Sequence, residues 1–436
     1  MARVYSARMP RRTLRSAWVI ACGFMTCLCS ASAWAQYEVE QDQRVWLRAL
    51  LDVRLVRSGP EPSWTDTGPG KLRYGGKATA SGFERTTRLA LSQLAIEVGA
   101  TLPWDIRAQA QINFEHDLAD NDEPWLVEAI LRKEFGTARA GYGLQTGIMN
   151  VPFSLEHTGP AWLPEYTLTA SALNSWIGEE VKVIGAEATF ERALGGHELS
   201  ATAAVFGWND TSGTLLTFRG WALHGIKTSL DTGFELPPLS AFMVTKQSRE
   251  TDPLLELDHR AGYYGRLEWR PPAPVSVNAL YYDNVGDRIA VDGEKQWAWE
   301  TRFLNLGVRW DVDERTKVLA QAMNGETLMG YRMSGGHWVD MGFHAAYLLA
   351  ARRYGEHALS GRVDWFEAND RTYRVVDNND EEGWAVTGAW RHRLAPWADV
   401  ITEVQHVSSK RPSRALAREA AKQDQTVLQA ALRLSF

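Results

Sequence analysis

Leu428-Gln429-Ala430-Ala431-Leu432-Arg433-Leu434-Ser435-Phe436 closes the chain. Leu428, Ala430, Leu432, Leu434 and Phe436 take every second position, and Gln429, Ala431, Arg433 and Ser435 lie between them. Side chains alternate faces along a strand, so this segment offers one face to hydrocarbon and the other to wetter surroundings. Taken alone, the stretch also suits an ordinary half-buried strand.

The same alternation recurs upstream. In 105–116, Ile106, Ala108, Ala110, Ile112 and Phe114 form one face, and Arg107, Gln109, Gln111, Asn113 and Glu115 form the other. In 338–351, Val339, Met341, Phe343, Ala345, Tyr347 and Leu349 share a face, opposite Asp340, Gly342 and His344. Strands of this kind read at 45–56, 88–100, 181–191, 197–207, 261–270, 274–283, 299–310, 356–366, 384–393 and 398–407. Almost no stretch with helical period interrupts them. Short turns at 101–104, 193–196, 271–273, 311–315 and 394–397 alternate with long polar segments at 58–85, 116–124, 149–180, 284–296, 325–337, 368–382 and 408–425. A sandwich or propeller does not require that alternation. A closed membrane barrel, with short turns on one side and long loops on the other, does. The expected fold is therefore all-β, a transmembrane antiparallel β-barrel of 16 strands. Eighteen is the alternative, and 208–260 is the segment that decides. Trp46, Trp125, Trp269, Trp310, Trp338, Trp384 and Trp397 fall near strand ends and suit the two membrane interfaces, although tryptophans also pack in cores.

The other end of the chain reads as an export signal over 1–35. Arg3, Arg8, Arg11, Arg12 and Arg15 precede an apolar run from Ala17 to Leu28, and Ala33-Trp34-Ala35 supplies small residues at the cleavage positions. The run is shorter than the roughly 20 apolar residues of a membrane helix. A lipoprotein box at Val19-Ile20-Ala21-Cys22 and twin-arginine export through Arg11-Arg12 are rival readings that fit less well. Cys22, Cys27 and Cys29 are the only cysteines, so a chain starting at 36 has no disulfide, thiolate metal site or cysteine nucleophile. The full chain has 47 basic and 53 acidic residues; losing the five leader arginines leaves 42 against 53, which argues against a nucleic-acid partner. Residues 36–436 carry no linker or composition shift, and mean hydropathy is mildly negative at −0.30.

A last strand ending in Phe436 resembles the C-terminal signal of bacterial outer-membrane barrels. That resemblance implies that Leu432, Leu434 and Phe436 are read by the barrel-assembly machinery. Gly147-Ile148-Met149-Asn150-Val151-Pro152-Phe153-Ser154-Leu155-Glu156, followed by Trp176-Ile177-Gly178-Glu179-Glu180, resembles the phosphate-selective porin (porin O and P) family. Arg362-Val363-Asp364 is similar to an Arg-x-Asp strand of the same family. The resemblance implies a trimeric 16-stranded barrel whose loop 149–180 folds inward and narrows the pore. It departs from the family in charge, because 149–180 contains no Lys or Arg, only His157 among basic types, with Glu156, Glu165, Glu179 and Glu180. Phosphate specificity is therefore not carried over.

Expected pore-lining groups are Arg48, Arg54, Arg107, Arg302, Arg309, Arg362 and Asp364, with Glu156, His157, Glu165 and Trp176 in the constriction loop. Basic rings in a pore concentrate anions and acidic rings do the reverse, whereas wall charges of mixed sign also simply pair and stiffen the wall. Histidines lack metal-ligand spacing, no Gly-rich phosphate loop precedes a helix, and no nucleophile-elbow motif is present. Neither a cofactor nor a metal is implied. The run 377–382 is acidic enough to hold calcium against lipopolysaccharide but reads first as a solvated loop. The expected function is passive diffusion of small polar or ionic solutes across the outer membrane of a Gram-negative bacterium, with outer-membrane lipid and lipopolysaccharide as neighbours. A plugged barrel with a structural or adhesin role and an outer-membrane hydrolase are the alternatives. Trp162, Trp176, Leu163, Leu173 and Ile177 give loop 149–180 enough apolar mass to act as a plug.

Overall fold

The computed structural model describes residues 44–66, 68–115, 125–137, 139–230, 232–372 and 378–436; the leader expected over 1–35 and Asp377 lie outside them. Sixteen antiparallel strands close into one barrel. They are β1 (Val45–Ser58), β2 (Thr86–Leu102), β3 (Ile106–Phe114), β4 (Trp125–Thr137), β5 (Ala140–Asn150), β6 (Lys182–Leu194), β7 (His197–Gly207) and β8 (Gly262–Arg270), followed by β9 (Val275–Asp283), β10 (Glu300–Asp311), β11 (Thr316–Met333), β12 (Gly336–Tyr354), β13 (His357–Asp370), β14 (Glu381–Ala395), β15 (Ala398–Lys410) and β16 (Lys422–Ser435). The C-terminal segment quoted above is the closing strand. It pairs with β15 on one side and β1 on the other, with Leu432 opposite Val53 and Arg433 opposite Asp52. Closure satisfies backbone amides between strands and removes both sheet edges, the condition for a β-structure in hydrocarbon.

Face alternation follows the barrel. On β16, Leu428 and Leu432 are exposed outward, while Gln429, Ala431 and Arg433 are buried inward. Leu47, Leu55, Leu89, Leu144, Val205, Leu267, Leu306, Leu348 and Val363 continue the outward apolar surface. Trp269, Trp310, Trp384 and Trp397 join it, whereas Trp125 is buried inside.

Two expectations are corrected, and the expected count of 16 strands stands. Residues 325–337 are not a loop, because β11 and β12 run on as paired strands to a tip between Met333 and Gly336. Segment 208–260 adds no barrel strand; it is a connection carrying the short helix α2 (Thr214–Phe218) and a two-residue hairpin between Phe234–Glu235 and Glu250–Thr251. Finally, the apolar face of 338–351 points into the barrel. Met341, Phe343 and Leu349 are fully buried, and Leu348, on the opposite parity, is exposed. The reason is that the lumen beside β12 is filled with aromatic side chains, so the inside of this wall is the drier side.

The filling comes from three connections. Segment 59–85 lies between β1 and β2. Segment 151–181, with helix α1 (Ala172–Glu180), lies between β5 and β6. The third, 208–261, lies between β7 and β8. Ser171 starts α1 by accepting the Asn174 amide on its hydroxyl, an ordinary N-cap. All nine residues of α1 and all five of α2 are buried. Trp176 is the hub, with ring centroids 5.1 Å from Phe343, 5.5 Å from Phe303 and 6.1 Å from Trp221. The wall accommodates the rings with glycine. A Cβ on Gly325 would lie 2.4 Å from the Phe343 ring, and one on Gly383 would lie 2.4 Å from Phe366. Each ring therefore lies flat over its cross-strand neighbour.

Candidate functional site

The inside of the barrel has two chemically distinct arcs. On the first, from β10 round to β1, wall side chains bind the inserted segments. Arg362 is its centre. Its Nη1 donates to Glu156 Oε1 (3.0 Å) and the Thr169 carbonyl (2.7 Å), its Nη2 to the Ala170 carbonyl (2.8 Å), and its Nε to Asp364 Oδ2 (2.8 Å). Asp364 in turn accepts the Ala172 amide at the start of α1 (3.1 Å). Glu156 Oε2 accepts the Ser171 amide (3.0 Å), the Ser171 hydroxyl (2.6 Å) and Asn174 Nδ2 (2.7 Å). Wall and segment thus satisfy one another, as buried charges require.

Further anchors extend this arc. Gln321 on β11 accepts the Leu155 amide (2.9 Å) and donates to the Phe153 carbonyl (2.9 Å). Glu403 on β15 accepts the Leu168 amide (2.5 Å) and the Thr169 hydroxyl (2.6 Å). Arg54 is held by Asp52 (2.7 Å) and Gln429 (3.0 Å), and Asp52 also takes Arg433 (2.9 Å). Segment 208–261 is fixed higher up. Trp221 donates its amide to Glu381 (3.0 Å) and its indole to the Glu367 carbonyl (2.9 Å). Glu381 itself bridges Lys71 (2.5 Å) and Arg411 (3.2 Å), so this member of the acidic run is buried and paired rather than solvated.

The second arc runs over β4–β8. Of its inward side chains, Gln145, Glu187, Thr189, Arg266 and the small Gly141, Gly143 and Ser200 are partly exposed, whereas Val127, Met149, Val183, Phe206 and Tyr264, toward the long-loop end, are buried in the cluster that contains Trp176. Their hydrogen bonds stay within the wall: Tyr264 to Glu187 (2.5 Å), Thr189 with Thr202 (3.1 Å), and Arg270 to Glu268 (2.6 Å). Where β3 adjoins, Glu128 accepts Gln109 (3.1 Å) and Asn150 (3.2 Å).

The sequence-derived residues divide accordingly. Arg54, Arg362, Asp364, Glu156 and Trp176 meet in the dry arc and are essentially solvent-free. Arg48, half-exposed, faces Glu97 at the short-turn end (3.4 Å), and the exposed Arg107 lies on the inward face of β3. Arg309 is inward and paired with Asp311 (3.3 Å). Arg302 does not line the lumen; it shares the outward face of Leu304 and Leu306 and bonds Glu326 there (Nε to Oε1 2.9 Å). Parity explains the error, because Arg302 and Arg309 lie seven positions apart on one strand and must point to opposite faces. His157 stacks on Trp162 (3.7 Å between centroids), and Glu165 accepts the Thr158 hydroxyl. Ser154 and His157 lie 2.8 Å apart, but the Ser154 hydroxyl also accepts the Glu156 and His157 amides. This is the geometry of a turn cap.

Sequence reasoning missed the buried polar groups of the inserted segments. Asp210, Glu256 and Asp258 converge within 4.8 Å, and their oxygens accept backbone amides of 257–260 and Trp208, which closes that loop. Burial pushes Glu180 up to about 8, even though its carboxylate receives Trp176 Nε1 (2.6 Å) and the Leu215 amide (2.7 Å). Burial likewise pushes Glu179 up to about 8 and holds its neighbour His224, 2.6 Å away, well below the usual histidine range. Burial lowers Lys71 to about 7 and Lys227 to about 8. The folded state keeps a proton on Glu180 that the unfolded chain releases above its ordinary 4.5. That contribution is therefore complete below about pH 4.5 and lost as pH rises through about 8. The lysines act in the opposite sense at higher pH, so the informative quantity is a difference. Urea midpoints of the native chain and of Glu180→Gln should match most closely near pH 5. By pH 9 the native chain should fall increasingly below the variant. Parallel curves would mean that Glu180 does not titrate in this range.

No family model matches the chain, and no curated protein does. Among solved structures, the outer membrane channel DcaP of Acinetobacter baumannii aligns with a TM-score of 0.55 over 90% of this chain and 97% of its own, at 11% identity. An anion-selective porin from Comamonas acidovorans aligns with a TM-score of 0.50 over 90% and 99%, also at 11% identity. At such identities the likeness is one of fold. The chain is a closed 16-stranded antiparallel barrel with a fold like that of these two channels, and no family match supports the phosphate-selective resemblance.

Proposed function

We propose that the chain is a narrow porin-type channel of the Gram-negative outer membrane, passing small polar or ionic solutes down their gradients without a cofactor. The observation that carries this reading is the contrast between the arcs. From β10 to β1 wall side chains are bonded to inserted segments, while over β4–β8 the hydrogen bonds of Glu187, Thr189 and Arg270 stay within the wall, and Gln145, Glu187, Thr189 and Arg266 stay partly exposed. A water-filled strip along β4–β8 then forms the path, and the short turns face the periplasm. The outward apolar band is the lipid and lipopolysaccharide face. Leu432, Leu434 and Phe436 form the signal read during assembly, and a homotrimer is the oligomer in keeping with the porin architecture.

A sealed barrel with a structural or adhesin role is the second reading. It is favoured by the continuous packing of Trp176, Trp221, Phe303 and Phe343 across the lumen. Single-channel recording of refolded 36–436 in a planar bilayer separates the two. Small, well-resolved current steps support the channel, and a correctly inserted but silent barrel supports the seal.

A further inference from the structure

The short-turn end of the β4–β8 arc contains a cavity of about 230 Å³, lined in part by Arg139, Glu191, Glu198, Ser200, Glu268 and Arg270. Small residues make the room, since Glu191 stands opposite Gly141 on β5 and Ser200 on β7. Some of the charges are already committed. Arg270 bonds Glu268 at 2.6 Å and reaches Glu198 at 3.5 Å, and Arg266 also pairs with Glu268. Three are not: among the described residues the Glu191 carboxylate and the Arg139 and Arg192 guanidinium groups have no ion-pair partner, and of these Arg192 shares the outward face of Phe190 and Leu194. The other two are close in the wall, because Gly141, two residues along from Arg139, pairs directly with Glu191, and the Arg139 carbonyl accepts the Ala193 amide at 3.1 Å.

We propose that this cavity is a recognition site for a small zwitterion of amino-acid size, with Glu191 taking the ammonium and Arg139 the carboxylate. With Arg192 turned to the outer face, one uncommitted charge of each sign remains at neighbouring strands of a space of this volume, and this matches a solute carrying both. An anion or a cation alone would leave one of the two groups facing a like charge or nothing. Hydroxyl donors line the same space through Thr137 and Ser200. The site rests on the channel reading for its purpose, since it would stand where solutes leave the strip, but its binding can be read without current.

Glutamine is the probe, with sorbitol, acetate and ethylammonium as controls of one or no charge type. Titration of the refolded barrel in detergent, followed by calorimetry, should give saturable glutamine binding and none for the controls. Glu191→Gln and Arg139→Gln should each weaken it by about tenfold or more, the loss expected for one charge-assisted hydrogen bond. In bilayers, glutamine should reduce the current from one side only. Equal responses to glutamine and sorbitol, or unchanged binding in both variants, would overturn the site. A barrel that binds glutamine yet carries no current would retain the site and remove the channel reading. One that conducts without responding to glutamine does the opposite.

Discussion

Replacing Arg362 with alanine should detach segment 151–181 from the barrel wall and raise single-channel conductance several-fold. The guanidinium satisfies two carboxylates and two carbonyls, from Glu156, Asp364, Thr169 and Ala170, in a place with essentially no water. Removing it leaves both acids in a dry site. Breaking a buried pair in this way costs about 3–5 kcal/mol. The barrel itself should survive, because its 16 strands are joined by backbone ladders that do not involve Arg362's side chain. The segment is therefore the part that gives way. Trypsin has no Lys or Arg to cut in 149–180, so exposure is better read with chymotrypsin at Trp162, Tyr166 and Trp176. Cleavage there in Arg362→Ala but not in the native barrel, together with larger steps, is the expected result. Unchanged conductance and unchanged protection would mean that Arg362 is not the clasp.

Trp176→Ala should have a comparable effect from the apolar side. The indole is fully buried, edge-on to Trp221 and Phe303 and tilted against Phe343, and it donates to Glu180. Truncating a buried tryptophan costs about 3–5 kcal/mol through lost contacts and the remaining cavity. Here it also takes away one of the donors to Glu180. The loss should appear as a separate low-temperature step in thermal denaturation, ahead of barrel unfolding, since the inserted segments share little backbone pairing with the wall. A single transition at the native temperature would show that the lumen packing around Trp176 contributes little.

The barrel was legible because alternation is a backbone property. Leu428 to Ser435, 106–114 and 197–207 show it in the sequence as they do in the structure. β4 is harder to see, because Leu126, Val127, Ala129, Ile130 and Leu131 put apolar residues on both faces around Glu128, and its pairing with β3 shifts register at Gln111/Ile112. What sequence could not supply was which face is inside. In 338–351 the apolar face reads as lipid-facing until the inserted aromatics make the lumen the drier side. Arg362-Val363-Asp364 was recognisable as a pair, and Glu156 as a loop acid, but their contact spans 206 residues of chain and is set by closure of the barrel. The β4–β8 arc was missed for the converse reason. Gly141, Thr189 and Ser200 carry no charge or motif, and their role is to leave space.

The proposed path requires a lumen closed over β10–β1 and open over β4–β8. Residues 36–436 contain no cysteine, so single cysteines report cleanly. Gln145→Cys and Thr189→Cys would probe the open arc, and Thr387→Cys and Gln405→Cys the closed one, each followed by mass after treatment of the folded barrel with a charged methanethiosulfonate. The prediction is rapid modification at 145 and 189, with the thiols at 387 and 405 protected until the barrel is unfolded. Equal modification at all four, or the reverse pattern, would contradict the assignment of the path.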